Sequence, residues 1–175
     1  MSDKVVVPAA ALERWRRQAK QLRKQKAIAH HTALDVVARL TGIFRDWHHV
    51  IVEAKATEPA EQAFRSGLVV GMDQKDAYEA RHTRRNLLDF VEEDRMLEFT
   101  VAEFERRRPK PWNDEDEWQA QFLRELVYFR WTGVLSETHD EAELLARKAF
   151  FFLPDYVRLK GRLLLDPFSD EDANG

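Results

Sequence analysis

Residues 113–133, NDEDEWQAQFLRELVYFRWTG, decide how the C-terminal half of this chain is read. Asn113 and the acidic run Asp114–Glu117 make a strong helix start. An Asn side chain accepts hydrogen bonds from the free N–H groups of a first turn, and carboxylates there meet the positive end of the helix dipole. Trp118, Phe122, Leu126 and Phe129 follow at steps of four, four and three residues, so the spacing predicts one long helix with a single apolar face, closed by Gly133. On that reading the C-terminal third is a helical bundle and the chain is all-α or nearly so.

Downstream, residues 138–152 and 155–165 read as two further helices joined at Pro154. Leu144, Leu145, Ala149, Phe152, Val157 and Leu163 or Leu164 are their core candidates. Upstream, PKPWN at 109–113 is linker-like punctuation. Before it, Thr100 with Glu103 has the spacing of a capping box, and the helix it opens must end ahead of Pro109, with Arg106–Arg108 in its last turn. Asp73 can cap a helix that runs from Gln74 to about Met96, with the charged segment Glu79–Asn86 as a candidate interruption. LVVG at 68–71 is the one convincing strand candidate, which allows at most one short strand pair near 68–72.

The N-terminal quarter is different in character. Pro8 suits a helix start, and Leu12, Trp15, Ala19 and Leu22 recur at three- and four-residue steps, a narrow apolar stripe on a helix over 9–27. Around it lie Arg14, Arg16, Arg17, Lys20, Arg23, Lys24 and Lys26, so this helix packs on one side and leaves a charged surface outside. Thr32 with Asp35 reads as a capping-box-like start of a short helix over 33–41, stopped at Gly42. Asp46 caps the next helix, which carries Trp47, Val50, Ile51 and Ala54 on one face and ends near Ala56. Glu58–Pro59 then starts another, closed by Gly67. The expected organisation is a basic helical module over 1–56, a middle segment over 57–108, a helical bundle over 109–166 and an acidic tail over 167–175.

Composition supports a folded protein: 44% apolar and 34% charged residues, with six Gly and six Pro among 175. No apolar run approaches the roughly 20 residues that span a bilayer, and the N-terminus lacks the pattern of a secretory leader, so the expectation is a cytoplasmic protein without membrane contact. The absence of Cys excludes disulfides, thiolate zinc sites and thiol catalysis. The net charge of −3 conceals an asymmetry: residues 1–55 hold 11 Lys+Arg against 5 Asp+Glu, the remainder 17 against 26. The basic part suits a nucleic-acid backbone or an acidic protein surface, because Coulomb attraction does not distinguish phosphate from carboxylate.

Several constellations could carry function. TALDVVARLTGIFRDWHHVI at 32–51 matches part of a DNA-reading helix–turn–helix, with Ala38, Gly42 and Ile43 in place. However, His48 stands where an aliphatic residue usually locks the second helix, and only Arg45, His48 and His49 are suited to base edges. The candidate nucleic-acid residues are Arg16, Arg17, Lys20, Arg23, Lys24 and Arg45. Neither His30–His31 nor His48–His49 can converge on one ion, since neighbours on a helix point about 100° apart, and a site would need one His from each pair plus Asp46 or Glu53 brought together by the fold; no metal or cofactor is expected. Asp73-Gln-Lys75 after LVVG is the most enzyme-like feature. A carboxylate beside a lysine at a strand end, with Glu58 or Glu61 from upstream, is the arrangement of a metal-dependent nuclease, while Asp73 as a plain helix cap is the alternative. Five Trp and eleven Phe complete the picture. Phe150-Phe151-Phe152 cannot all face one core, so Trp131, Phe150, Phe151 and Tyr156 are candidates for a protein interface with a partner or a second copy.

One resemblance can be placed on these residues. Ala19-Lys-Gln-Leu-Arg-Lys24, then His31-Thr-Ala-Leu-Asp-Val-Val-Ala-Arg39, Gly42 and Asp46-Trp-His48, resembles a small helical module of bacterial proteins associated with mobile elements, sometimes attached to glyoxalase-related sequences. Gly67-Leu-Val-Val-Gly-Met-Asp-Gln-Lys-Asp-Ala77 and Phe90-Val-Glu-Glu-Asp94 resemble stretches that follow it; the similarity covers roughly residues 15–95. The repeated strands and separated His/Glu ligands of a glyoxalase metal site are missing here, so that activity is not implied. The resemblance marks kinship with such mobile-element proteins and implies no activity; the basic and aromatic residues themselves point to an accessory or regulatory protein that works by binding a macromolecule, partner protein or nucleic acid, without catalysis. The enzyme alternative is the nuclease centred on Asp73 and Lys75.

Overall fold

A computed structural model of the chain describes residues 4–82, 89–150 and 153–169. The chain divides into two compact units, Met1–Pro59 and Ala60–Gly175. The first is helical: α1 (Ala9–Lys26), α2 (His30–Leu40) and the first half of α3 (Trp47–Ser66). The stripe of α1 packs as its spacing predicts, with Ala19 against Ala33 and Val37 of α2, and Leu12 and Trp15 against Val7, Ala38, Phe44 and Val50. Thr57, fully buried, ties the N-terminal strap to α3: its hydroxyl accepts from Val7 N at 3.0 Å and donates to Glu53 O at 2.7 Å.

α3 departs from the expected pair of helices, because it continues unbroken through Pro59. Proline inside a helix removes the donor to the carbonyl four residues back. Here Val50 and Ala54 pack on one side of that point, Ala60 and Ala63 on the other, and this burial on either side outweighs the missing bond. The start of α2 is also shifted: it begins at His30, so Thr32 lies within the helix rather than capping it.

The second unit is not the helical bundle that the sequence spacing predicts. It is a mixed α/β structure around a five-stranded antiparallel sheet in the order β2-β3-β1-β4-β5, formed by β1 (Leu68–Met72), β2 (Phe90–Glu92), β3 (Val127–Trp131), β4 (Tyr156–Leu159) and β5 (Arg162–Leu165). The all-α reading with at most one strand pair is thereby corrected. The helices α4 (Gln74–His82) and α7 (His139–Ala149) contribute Ala77, Ala80, Ala142 and Ala146 to the core on one face of the sheet. The end of α3, with α5 (Met96–Arg107) and α6 (Asp114–Glu125), supplies Ala63, Phe104 and Leu123 to the core on the other.

The segments that depart from the expected helices do so for identifiable physical reasons. The long helix expected over 113–133 is real as far as Glu125, with Asn113 and Asp116 forming a reciprocal capping box. Leu126 then turns extended and Val127–Trp131 pairs with β1 and β2. Tyr128 enters one core and Phe129 the other, so the strand is covered on both faces and shows no apolar–polar alternation to distinguish it from a helix. The expected helix over 155–165 is the hairpin β4–β5, whose two-residue turn Lys160-Gly161 has φ of 49° and 77°, the double left-handed geometry of a tight hairpin. The helix expected to run to Met96 ends by His82, and β2 follows, with 83–88 outside the described residues. α5 begins at Met96, so Thr100 sits inside the helix and donates to Leu97 O at 2.9 Å.

At the centre, all five residues of β1 are buried. Gly71 lies opposite Tyr128 on one side and Tyr156 on the other, and the two rings meet at a T-shaped contact of 5.7 Å. A Cβ on Gly71 would stand 3.0 Å from the Tyr128 ring and 3.1 Å from Tyr156 Cβ. The Tyr128 ring cannot retreat freely, because its hydroxyl donates to Leu123 O at 2.8 Å. Gly71→Ala is therefore expected to destabilise by about 1–3 kcal/mol through overpacking, measured as a fall in the urea midpoint at unchanged slope.

Arg158 joins β4 to two helices. Its Nε donates to Phe64 O at 2.8 Å, its Nη1 to Glu103 Oε2 at 2.6 Å, and its guanidinium lies 3.8 Å from the centre of the Phe64 ring. Both side chains of the ion pair are nearly buried. Glu103→Leu alone leaves a buried cation without its carboxylate and is expected to cost about 3–5 kcal/mol. The double variant Glu103→Leu/Arg158→Met should recover most of that loss in the same denaturation experiment, because both charges are then removed together.

Candidate nucleic-acid interface

α1 places its side chains in three lengthwise strips. Leu12, Trp15, Ala19 and Leu22 face the core of the first unit. Arg16, Arg17, Lys20, Arg23 and Lys24 stand at i, i+1, i+4, i+7 and i+8, which at 100° per residue gathers them into one sector about 120° wide and about 12 Å long. All five are exposed. Arg16 is paired with Glu13 at 2.7 Å, also on the surface; among the described residues Arg14, Arg17, Lys20, Lys24, Arg23 and Lys26 make no ion pair. The third strip is Arg14, Gln18, Gln21 and Gln25, which borders an open groove against α2.

The α2–α3 hairpin has the turn of a helix–turn–helix, with Gly42 at φ 75°. Its locking residues are Phe44 and Val50, both buried, while His48 is exposed. The first turn of α3 is closed by carboxylates: Trp47 N donates to Asp35 Oδ1 at 2.9 Å and His49 N to Asp46 Oδ1 at 2.8 Å. The hydrogen bond from His49 N, foremost, holds the Asp46 carboxyl below its ordinary range, with Arg45 adding to the effect. A phosphate approaching this helix end would meet fixed negative charge where a DNA-reading helix usually offers free N–H groups. Arg45, the candidate base-reading side chain, is engaged with Asp46 at 3.2 Å.

Asp73 caps α4, accepting from Asp76 N at 2.8 Å. The carboxylate that joins it is Asp155, whose Oδ2 accepts from Asp73 N at 3.1 Å. The expected partner Glu61 is on α3 and lies 2.7 Å from Arg65. Lys75 is exposed, and among the described residues no group of three His, Asp or Glu side chains could hold a metal ion. The interface candidates also part company. Phe150 and Tyr156 are each 3% exposed and belong to the two sheet cores, so these two are packing residues rather than surface. Trp131 is half-buried against Phe90 and donates from Nε1 to Val134 O, and Phe151 lies outside the described residues.

No family model, curated protein or solved structure matches the chain. No helix among the described residues is long and apolar enough to cross a membrane. The amide strip of α1 is uncharged, so charge patterning alone does not mark it. Its signal is the spacing of Arg14, Gln18, Gln21 and Gln25 at i, i+4, i+7 and i+11, which repeats the period of the apolar stripe beside it.

The acidic corner at the end of β1 gives a pH test. Burial, foremost, raises the Asp155 carboxyl above its ordinary value, and repulsion from Asp73 and Asp76 adds to this, opposed by the Asp73 N–H. A raised folded-state pKa means that stability is lost as pH rises through it and is fully present below the unfolded value of 3.8. Asp155→Asn keeps an acceptor for Asp73 N and removes the charge. Its melting temperature is expected to exceed that of the parent chain at neutral pH, with the gap closing below pH 3.8.

Proposed function

We propose that this chain is a binding protein whose N-terminal unit engages nucleic acid through the cationic strip of α1, in keeping with an accessory or regulatory role. The observation that carries this reading is the placement of Arg16, Arg17, Lys20, Arg23 and Lys24 on one exposed strip, four of the five without an ion pair. Charges kept apart from carboxylates retain their full field, and a row of them along a rigid helix matches the regular charge of a phosphate backbone better than it matches scattered surface acids. The carboxylate-closed start of α3 favours α1 over the hairpin's second helix as the contacting element.

Contact of this kind is dominated by release of condensed counterions, so affinity falls linearly with salt on logarithmic axes. Five phosphate contacts give a slope of about −4 to −5 on duplex DNA, a loss of roughly 500-fold between 50 and 200 mM salt. Replacing all five with Gln keeps helix-forming side chains and should leave a slope no steeper than about −2, from Arg14 and Lys26. Fluorescence anisotropy over a salt series makes the measurement. Undetectable binding at low salt, or binding unchanged in the five-site variant, would overturn the proposal.

A further inference from the structure

The groove between α1 and α2 extends the same site. It encloses about 540 Å³, within the range of clefts that hold flat organic rings. Trp15, Leu22, Val37 and Leu40 line it with apolar surface, and Leu40 is 77% exposed, an unusual position for a leucine in so small a unit. Its polar rim is the strip of Gln18, Gln21 and Gln25, ending at Arg14. On the helical wheel this strip adjoins the cationic sector, since Gln21 lies about 40° from Arg17 and about 60° from Lys24.

We infer that the groove receives the bases of a single-stranded nucleic acid whose phosphates lie on the neighbouring cations, an inference that rests on the proposed backbone contact. Each glutamine amide carries a donor pair and an acceptor, which lets it meet any base edge. Gln18, Gln21 and Gln25 rise along the helix by about 4.5 and 6 Å. Stacked bases in a strand repeat every ~3.4 Å, so the rungs fit bases that have been splayed apart, the form in which single strands are read. The apolar lining covers the base faces thus exposed. A duplex offers its phosphates to the cations but keeps its bases stacked and paired, out of reach of the groove. Cations next to the groove set the sign of the occupant, and the alternation of amides with apolar surface suits heterocycles better than the carboxylates of an acidic peptide.

The experiment is anisotropy with the full chain and one short mixed sequence, presented as single strand and as duplex at the same salt. The single strand is expected to bind at least about tenfold tighter. Gln18→Ala/Gln21→Ala/Gln25→Ala should abolish that preference while leaving duplex affinity and its salt slope unchanged. Leu40→Ser, at an exposed position, should do the same by removing apolar surface from the groove mouth without adding charge. Equal binding of the two forms, unaffected by either variant, would overturn the groove as a base site and leave the backbone contact standing. Binding of polyglutamate with neither oligonucleotide bound would overturn both.

Discussion

Burial of β1 on both faces and both edges is the constraint on which the second unit depends. Five consecutive buried residues leave no backbone group that water can satisfy, so every N–H and C=O of the strand must be met by neighbours. β3 and β4 meet them on either side, drawn from segments about 60 and 90 residues further along the chain. The side chains then need two separate layers of helix. Val69 points into the core made with α3, α5 and α6, while Leu68, Val70 and Met72 point into the core made with α4 and α7. Gly71 completes the arrangement by letting Tyr128 and Tyr156 close over the strand from both sides. Arg158 extends it by fastening β4 to the end of α3 and to α5.

This constraint explains which parts of the fold the sequence discloses. Amphipathic, surface-facing elements have a period to read. The stripe of α1, the caps at Asp46, Asp73 and Asn113, and the turn at Gly42 are all legible, because each depends on neighbours within a few residues. The sheet is not. β1 is buried along its whole length and has no polar side chain to set an alternation, and 126–131 happens to continue the helical spacing set by Trp118 and Phe122. The hairpin β4–β5 had one local sign, Lys160-Gly161 between apolar runs, and Gly161 is doubly required there: its φ is 77° and a Cβ would stand 2.8 Å from Arg65 O. At the site, cations are obvious from composition, whereas the glutamine strip acquires meaning only when α2 is placed beside it to make a groove.

The aromatic excess shows the same division. Many of its residues pack into the two cores that flank the sheet. Phe150 meets both Phe90 and Phe129 within one sheet core, with ring centres 5.0 and 5.3 Å apart. Phe168 packs against Phe104, Trp118 and Phe122 near α5 and α6. A three-layer unit has two interiors, and two interiors use roughly twice the large side chains of one.

The first unit lacks that demand and can keep its charges outside. Its core is built from small and medium side chains, Ala19, Ala33, Val37, Ala38 and Val50, with Phe44 as the largest fully enclosed ring. Alanine contacts bring α1 and α2 close over their buried side, while the long glutamines and Leu40 hold the groove open on the other. Three acids of this unit are engaged locally: Asp35 and Asp46 close the start of α3, and Glu13 pairs with Arg16. Among the described residues of this unit, most cations without an ion pair stand on α1. In the proposed interface the small residues that shape the groove and the carboxylates that cap α3 therefore act together, turning the polyanion toward α1 rather than toward the start of α3.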